Sequence, residues 1–438
     1  MISPARRLCY SILLGIETRG LFSDDALHSK EIEHLDLRDR HLTTEIVYGT
    51  LRWRGLLDYV LSDASARPWE DVAVGAKILL RMSFYQMWRM DRIPQHALVH
   101  DAVEIAKRKL GRSVSGYING VLRNLARRRP HENRRFTEKA PDWIQVSFPR
   151  WLWERYAARY GTAGARDYAL ALNLRPIAAL RLVKTTDKSR RPDSGVVPSD
   201  LVPNAMIQKG SSCRKSRAAG NSFRSQFQDE ASQLIPHLLG APSPKQRIWD
   251  ACAAPGGKSA ILCAQYGNSG QVVSSDIHFE RTRRLTALLK VAGFSKTDIL
   301  IADARQSPPF RGCFDAVLAD VPCSGLGTLR RNPEIKWNFN PDRFGLLNHT
   351  QKQILEGVAQ AVRPGGYLLY STCSTEPEEN EEVIAVFLQN HPEFSLERPT
   401  YPPGIDAWIG ADHMVRTFPS TRLWDGFFAA LMVRQRDG

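Results

Sequence analysis

Cysteine is scarce in this sequence and never closely paired. Seven occur in 438 residues, at Cys9, Cys213, Cys252, Cys263, Cys313, Cys323 and Cys373, and no two are spaced C-x-x-C. An odd count without paired spacing excludes a disulfide framework and a zinc ribbon or finger, and predicts a chain that works in a reducing cytosol. No apolar run is long enough to span a bilayer, so no membrane partner is expected. The stretch MISPARRLCYSILLGIETRG sets Arg6 and Arg7 before an apolar patch, yet Glu17 and Arg19 follow at once and no small-residue cleavage site appears. It predicts an amphipathic first helix rather than a secretory signal. Internal repeats are absent, and so is the G-x-G-x-x-G turn of the nicotinamide-binding type. Acidic residues are in deficit: 46 Asp and Glu against 60 Lys and Arg leave a formal net charge of +14. That excess favours a polyanionic partner, nucleic acid ahead of an anionic membrane.

What is present divides into three stretches, consistent with roughly 100–200 residues per domain. Residues 1–130 read as helix throughout. Apolar residues recur three and four apart in DLRDRHLTTEIVYGTLRWRGLLDYVL and VGAKILLRMSFYQMWRM, a helix starts after Pro94, and another, SGYINGVLRNLARRRP, carries Arg123, Arg127, Arg128 and Arg129. These arginines form either a solvated face or part of a nucleic-acid surface. Residues 131–230 read as a small α+β bridge. It holds a tryptophan-rich helix pair in PDWIQVSFPRWLWERYAARYG, a strand in AALRLVK, and a polar, basic loop region over 184–225. In 231–438, after the helix DEASQLIPHLLG, short apolar runs (RIWDACA, GQVVSSDI, DILIADA, FDAVLAD, GYLLYSTCS) mostly alternate with helical stretches such as RTRRLTALLKVAG and TQKQILEGVAQAVRPGG. Alternation of this kind predicts a parallel sheet covered on both faces, with DGFFAALMVRQ as a last, antiparallel edge strand.

The segment DACAAPGGKSA, Asp250–Ala260, nearly matches a phosphate-binding loop, with Gly257, Lys258 and Ser259 in the final positions. Cys252 stands where the first glycine of that loop belongs, and Pro255 removes one backbone N–H that would face a phosphate. A nucleotide hydrolase is therefore the weakest reading. What remains is a strand, a tight Gly256-Gly257 turn and a helix, a shape that brings backbone close to a ligand. Asp276, Asp303 and Asp320 are placed at the ends of the second, third and fourth strands. A ring of carboxylates repels phosphate but suits S-adenosylmethionine, a nucleoside that carries a sulfonium cation.

Two cysteines fall just past strand ends: Cys323 in DVPCSGLG and Cys373 in YSTCSTEPEEN, where Thr375 and Glu378 predict a capping box. Both sit in polar loops, where packing has little use for a thiol, so catalysis is expected of the pair. A thiolate adding to C6 of cytosine turns C5 into an enamine carbon able to take a methyl group. A free thiol has a pKa of about 8.5, so the site has to aid ionisation or couple attack to protonation at N3. Asp320 is the expected group at N3 and the exocyclic amine.

DACAAPGGKS, DVPCSG and YSTCS together resemble the signatures of the RNA cytosine-C5 methyltransferases, and QDEASQL at 228–234 and GTLRRNPEIKW at 327–337 extend the resemblance. It implies S-adenosylmethionine held by Cys252, Ala253, Ala254, Pro255, Gly256, Gly257 and Lys258 with Asp276, Asp303 and Asp320. It also implies Cys373 as nucleophile and Cys323 as the thiol that assists breakdown of the covalent adduct. RDRHLTTEIVYGTLRWR, IPQHALVHDAVEIAK and YINGVLRNLARR resemble the NusB type of helical RNA-binding domain. The resemblance covers most of the chain except 184–225. It implies an α/β Rossmann-like, S-adenosylmethionine-dependent methyltransferase domain preceded by an all-α NusB-like domain and a small α+β bridging subdomain. The expected activity is C5 methylation of one cytosine in 16S rRNA that is free of, or only partly assembled with, ribosomal proteins, by a cytoplasmic monomer. Two alternatives stand beside it: a tRNA (cytosine-C5) methyltransferase, and a non-catalytic RNA-binding assembly or antitermination factor, against which intact Cys323, Cys373 and Asp320 speak.

Overall fold

The structure is a computed structural model that describes residues 2–91, 93–128, 137–183, 196–208, 224–267, 270–306 and 310–436. Its chain packs as two compact units, one of Met1–Arg175 with Leu329–Asn338, the other of Pro176–Thr328 with Phe339–Gly438.

The first unit is helical: α1 (Pro4–Arg19), α2 (Ser23–Leu27), α3 (Lys30–Glu33), α4 (Leu37–Arg52), α5 (Arg54–Ala64), α6 (Val74–Arg89), α7 (Gln95–Lys109), α8 (Arg112–Arg127), α9 (Asp142–Gln145) and α10 (Arg150–Leu172). Helix α6 is buried almost along its whole length, and the apolar faces of α1–α5, α7 and α8 close on it as one core. In α8 the buried residues Ile118, Val121, Leu122 and Leu125 follow the i, i+3, i+4, i+7 spacing, which leaves Arg123 and Arg127 exposed on the other side. Asp36 caps α4 by accepting the Asp39 N–H, as short polar residues do at helix starts. The expected helix pair after residue 141 is α9 and α10, the latter broken at Gly161.

Residues 329–338 belong to this unit although their chain neighbours do not. The segment ends in α14 (Ile335–Asn338), and several of its buried polar groups have partners in the helices. The Glu334 carboxylate accepts the Ser23 N–H (2.9 Å) and hydroxyl (2.8 Å), and Trp337 Nε1 donates to the Leu51 carbonyl (2.7 Å). Lys336 Nζ donates to the Arg52 carbonyl (2.9 Å) and to Asn173 Oδ1 (3.0 Å), and burial pushes its amine well below the ordinary range. Groups of this kind are tolerated inside a protein only when hydrogen-bonded.

The second unit carries two sheets. A small antiparallel sheet, β2-β3-β1-β4, is built from β1 (Ala179–Val183), β2 (Val196–Pro198), β3 (Ala205–Gln208) and β4 (Arg224–Phe227). The large sheet has the order β10-β12-β9-β8-β5-β6-β7, from β5 (Arg247–Asp250), β6 (Gln271–Asp276), β7 (Asp298–Ile301), β8 (Phe314–Asp320), β9 (Val362–Thr372), β10 (Phe394–Leu396) and β12 (Phe428–Arg434), with the short β11 (Val415–Arg416) beside β12. Strands β5 to β9 pair in parallel, while β10 and β12 are antiparallel. Both faces are covered: Ile248, Leu318 and Leu369 enter one core, Trp249, Val317 and Leu368 the other. This is why these strands read as unbroken apolar runs. Helices α11 (Glu230–His237), α12 (Gly257–Tyr266), α13 (Phe279–Val291), α15 (Arg343–Ala359) and α16 (Glu381–Asn390) supply the covering layers, with the short α17 (Pro419–Arg422) before β12.

The strand order reverses at β5, which lies between β6 and β8. Ligands of open α/β sheets bind at the carboxyl end of such a switch point.

Three sequence expectations differ from the fold. DGFFAALMVRQ forms β12, antiparallel as expected, but β10 pairs on its outer side, so it is not the edge. Thr375 and Glu378 form no capping box: Pro377–Glu379 is a single 3-10 turn, and α16 starts only at Glu381. The turn is held by Glu379, whose carboxylate faces inward rather than back to a helix start. Asp303 lies two residues beyond β7, because Ala302 still donates to the Asp276 carbonyl (3.2 Å) before the chain turns. Arg129 and most of the basic stretch 184–225 lie outside the described residues, and among the described residues no helix is long and apolar enough to cross a membrane.

Candidate active site

The switch point is occupied by the glycine turn. Gly256 has φ 111°, a left-handed conformation that disfavours a side chain, and a Cβ there would lie 2.7 Å from Leu285 Cδ1. Helix α12 begins at once with Gly257 and Lys258. Ala253 is tied to the next strand by its N–H to the Ser275 carbonyl (2.8 Å), while Ala254 and Pro255 carry the turn toward the surface. Cys252 is half-buried, and burial together with Asp250, Asp320, Asp276 and Asp303 pushes its thiol well above the ordinary range. The thiol thus stays neutral, and the four carboxyl groups that act on it converge on one crevice.

Those carboxyls are held differently. Asp276 accepts the His278 N–H at 3.0 Å. Asp303 accepts the Arg305 N–H (3.0 Å) and its guanidinium (2.7 Å), which keep its carboxyl below the ordinary range. Asp320 Oδ1 accepts the Ser371 hydroxyl (2.8 Å) and its Oδ2 accepts Lys258 Nζ (2.7 Å). Burial works against the charge of Lys258, but Asp320 prevails and raises its pKa. Asp250, at the end of β5, was not among the residues singled out from the sequence. It is fully buried, accepts the Ser259 hydroxyl (2.6 Å) on one oxygen, and leaves Oδ1 without a hydrogen-bond partner among the described residues. Burial pushes its carboxyl up to about 7.

The two cysteines meet. Sγ of Cys323 and Sγ of Cys373 are 3.2 Å apart and unbonded. Strand pairing explains how residues fifty positions apart come together. β8 and β9 are parallel neighbours with Asp320 opposite Ser371, so both strands deliver their following loops to the same edge, and counted from that pair the chain of β8 takes one residue more than the chain of β9 before the thiols meet. Gly327 closes the arrangement by donating its N–H to the Cys373 carbonyl (3.0 Å). A Cβ on Gly327 would sit 1.9 Å from the Gly426 carbonyl oxygen, so only glycine permits this approach. The neighbouring Cys373 thiol, with burial, holds the Cys323 thiol well above its ordinary range.

Beneath the thiols lies a buried network that sequence reasoning missed. Ser324 and Ser374 hydroxyls are 3.2 Å apart, and both donate to Glu379 Oε2 at 2.5 Å. Glu379 stands in the run TEPEENEE, which reads as a solvated acidic face, and no local signal separates it from its neighbours.

A mostly parallel sheet with its switch point at β5, and carboxyl groups rather than a phosphate-binding glycine loop at that point, place the second unit among the Rossmann-like methyltransferases. Within that class the chain belongs to the 16S rRNA methyltransferase RsmB/F family, whose sequence model matches residues 237–433, and the NusB family matches residues 3–127. It is 32% identical to the "Probable ribosomal RNA small subunit methyltransferase B" of Bacillus subtilis, over 98% of each chain. It is 31% identical to the "Ribosomal RNA small subunit methyltransferase B" of Sodalis glossinidius, over 92% of this chain and 91% of that one. The solved structure of PH0851 superposes with a TM-score of 0.78 at 27% identity, covering 99% of both chains. The family implies S-adenosylmethionine as methyl donor.

Proposed function

We propose that this chain methylates C5 of one cytosine in 16S rRNA through a transient bond between Cys373 and C6 of the base. The observation that carries the reading is the thiol pair, 3.2 Å apart and flanked by an Asp320 carboxylate that Lys258 and Ser371 hold in place. The residues at the switch point fit S-adenosylmethionine: the Gly256-Gly257 turn leaves no side chain in its way, and Oδ1 of the buried Asp250 has no hydrogen-bond partner among the described residues. Cys252 to Lys258, Asp276, Asp303 and Asp320 would hold it, and when bound it supplies an electrophilic methyl group.

Every other part of the reaction belongs to this chain and the RNA. The Cys373 thiolate adds to C6, and the electron pair of the C5–C6 bond moves toward C5, which gains the nucleophilicity that an aromatic carbon lacks. Asp320, accepting from Lys258 and Ser371, faces N3 and the exocyclic amine of the base and fixes its orientation. Once C5 carries the methyl group its proton passes to solvent water, the electron pair of that C–H bond reforms the C5–C6 double bond, and the Cys373 thiolate leaves. Cys323, kept protonated beside it, assists that departure.

The base has to leave its stack for this chemistry, so the substrate is a single-stranded region or an RNA not yet buried in a ribosomal particle. The division of labour is threefold: residues 1–130 grip RNA, 131–230 bridge, and 231–438 catalyse. In the helical unit, α7 and α8 flank a cavity of about 670 Å³ lined by His96, His100, Lys107, Arg112, Asn119 and Arg123, a setting for phosphate contacts.

The test is incubation with labelled S-adenosylmethionine and protein-free 16S rRNA, followed by mapping of 5-methylcytosine. Cys373→Ala should be inactive, and Cys323→Ala should accumulate a covalent protein–RNA adduct on a denaturing gel. An active Cys373→Ala chain would reverse the roles, and label found only in tRNA would overturn the substrate.

A further inference from the structure

The two thiol-bearing loops share a repeated dipeptide, Cys323-Ser324 and Cys373-Ser374. The four side chains form two parallel contacts, thiol to thiol at 3.2 Å and hydroxyl to hydroxyl at 3.2 Å. The hydroxyl contact rests on one carboxylate. Glu379 Oε2 accepts both serine hydroxyls at 2.5 Å, and its Oε1 accepts the Ser324 N–H at 2.7 Å and Gln351 Nε2 at 3.1 Å.

The rest of the turn is anchored too. The Glu379 carbonyl accepts the Tyr370 hydroxyl (2.6 Å), Asn380 Nδ2 donates to the Ser374 carbonyl (3.0 Å), and Gln351 Nε2 also reaches the Pro322 carbonyl (2.9 Å). Glu379, Gln351 and Ser374 are fully buried. A carboxylate buried at the cost of its hydration, and bonded to both loops, does more than fill space.

We propose that Glu379 is the positioning residue of the reaction: its carboxylate clamps Ser324 and Ser374 together and thereby sets the separation of the Cys323 and Cys373 thiols. The clamp acts through the two serines and touches neither thiol. It rests on the functional reading above only in calling the thiols catalytic; the spacing itself is a property of the unliganded chain.

The experiment compares full-length wild type with Glu379→Gln, Glu379→Ala and Ser374→Ala, each first checked for a cooperative melting transition. Phenylarsine oxide, which binds by bridging two neighbouring thiols with release of water, reads the pair without RNA or methyl donor. Wild type should bind it, and Glu379→Gln should match wild type within about three-fold, since its amide still bonds both hydroxyls. Glu379→Ala and Ser374→Ala should each bind about ten-fold more weakly or worse. Cys323→Ala and Cys373→Ala mark the baseline for a single thiol. In the methylation assay Glu379→Ala should lose about 10²-fold in kcat while KM for RNA stays put, and Glu379→Gln should recover most of it. A chain that merely folds less well would lose activity in proportion to its folded fraction, and the glutamine variant would show no selective rescue. Should Glu379→Ala fail to fold, Ser374→Ala, which cuts one arm of the clamp, carries the comparison. Wild-type arsenical affinity in folded Glu379→Ala or Ser374→Ala would overturn the clamp. A wild type that binds the arsenical through both cysteines, with the expected loss in the variants, yet methylates no RNA would support the clamp and overturn the functional reading.

Discussion

At the scale of single residues, the crevice depends on which carboxyls keep their protons. Asp250 has an ordinary value of 3.8 and is pushed up to about 7, chiefly by burial. Between those values the folded chain holds a proton that the unfolded chain has released. The stability this contributes is complete below about pH 4 and is lost as pH rises through about 7. Asp250→Asn cannot ionise and so removes that slope. In urea unfolding, wild type should lose on the order of 2–3 kcal/mol relative to the variant between about pH 5 and pH 8. Parallel stability curves for the two would show that Asp250 is ionised throughout. The functional residues were unevenly legible at this scale. Cys323 and Cys373 stand out because packing has little use for a thiol in a polar loop, and Lys258, Asp276, Asp303 and Asp320 because they gather around one glycine turn. Asp250, Ser371 and Glu379 do not, since each is an ordinary residue whose meaning comes from its tertiary setting: Ser371 from Asp320, Glu379 from Ser324, Asp250 from complete burial.

At the scale of elements, the site is a consequence of strand register. One residue of slip between β8 and β9 would send each side chain to the other face and separate the thiols. The glycine at 327 guards the same geometry from the loop side, where its backbone forms hydrogen bonds with Cys373 and Gly426. Gly327→Ala forces a backbone shift, because the methyl would overlap a carbonyl that cannot rotate away. It should cost more than about 3 kcal/mol in thermal or denaturant unfolding of the second unit, a size reserved for overpacking and backbone conflict. A variant as stable as wild type would show that the loop can open there. The helices and strands themselves were largely readable, since apolar spacing reports which face is covered. The misread elements were those where a tertiary partner overrode a local cue: the start of α16, displaced by the inward turn of Glu379, and the last strand, flanked by β10.

At the scale of the whole molecule, a net charge of +14 predicts that affinity for RNA falls steeply with salt. If α8 binds phosphates, Arg123→Ala with Arg127→Ala should weaken binding of all RNAs alike. The slope of log affinity against log salt should become shallower by about 0.7 for each phosphate of a single strand that is no longer neutralised. Filter binding at several salt concentrations measures this, and an unchanged slope would remove α8 from the interface. Composition and motif by themselves determined the charge, the helices of residues 1–130, the parallel sheet, the glycine turn and the two loop cysteines. Each of these is written in residue type and local spacing, which folding does not alter. Only the tertiary structure decided that the two thiols touch, that Lys258 neutralises Asp320, that Glu379 lies beneath both cysteine loops, and that residues 329–338 pack with the helices rather than with their chain neighbours. Those facts depend on the register of neighbouring strands and on the burial of groups far apart in the chain. A linear pattern carries no measure of distance between them.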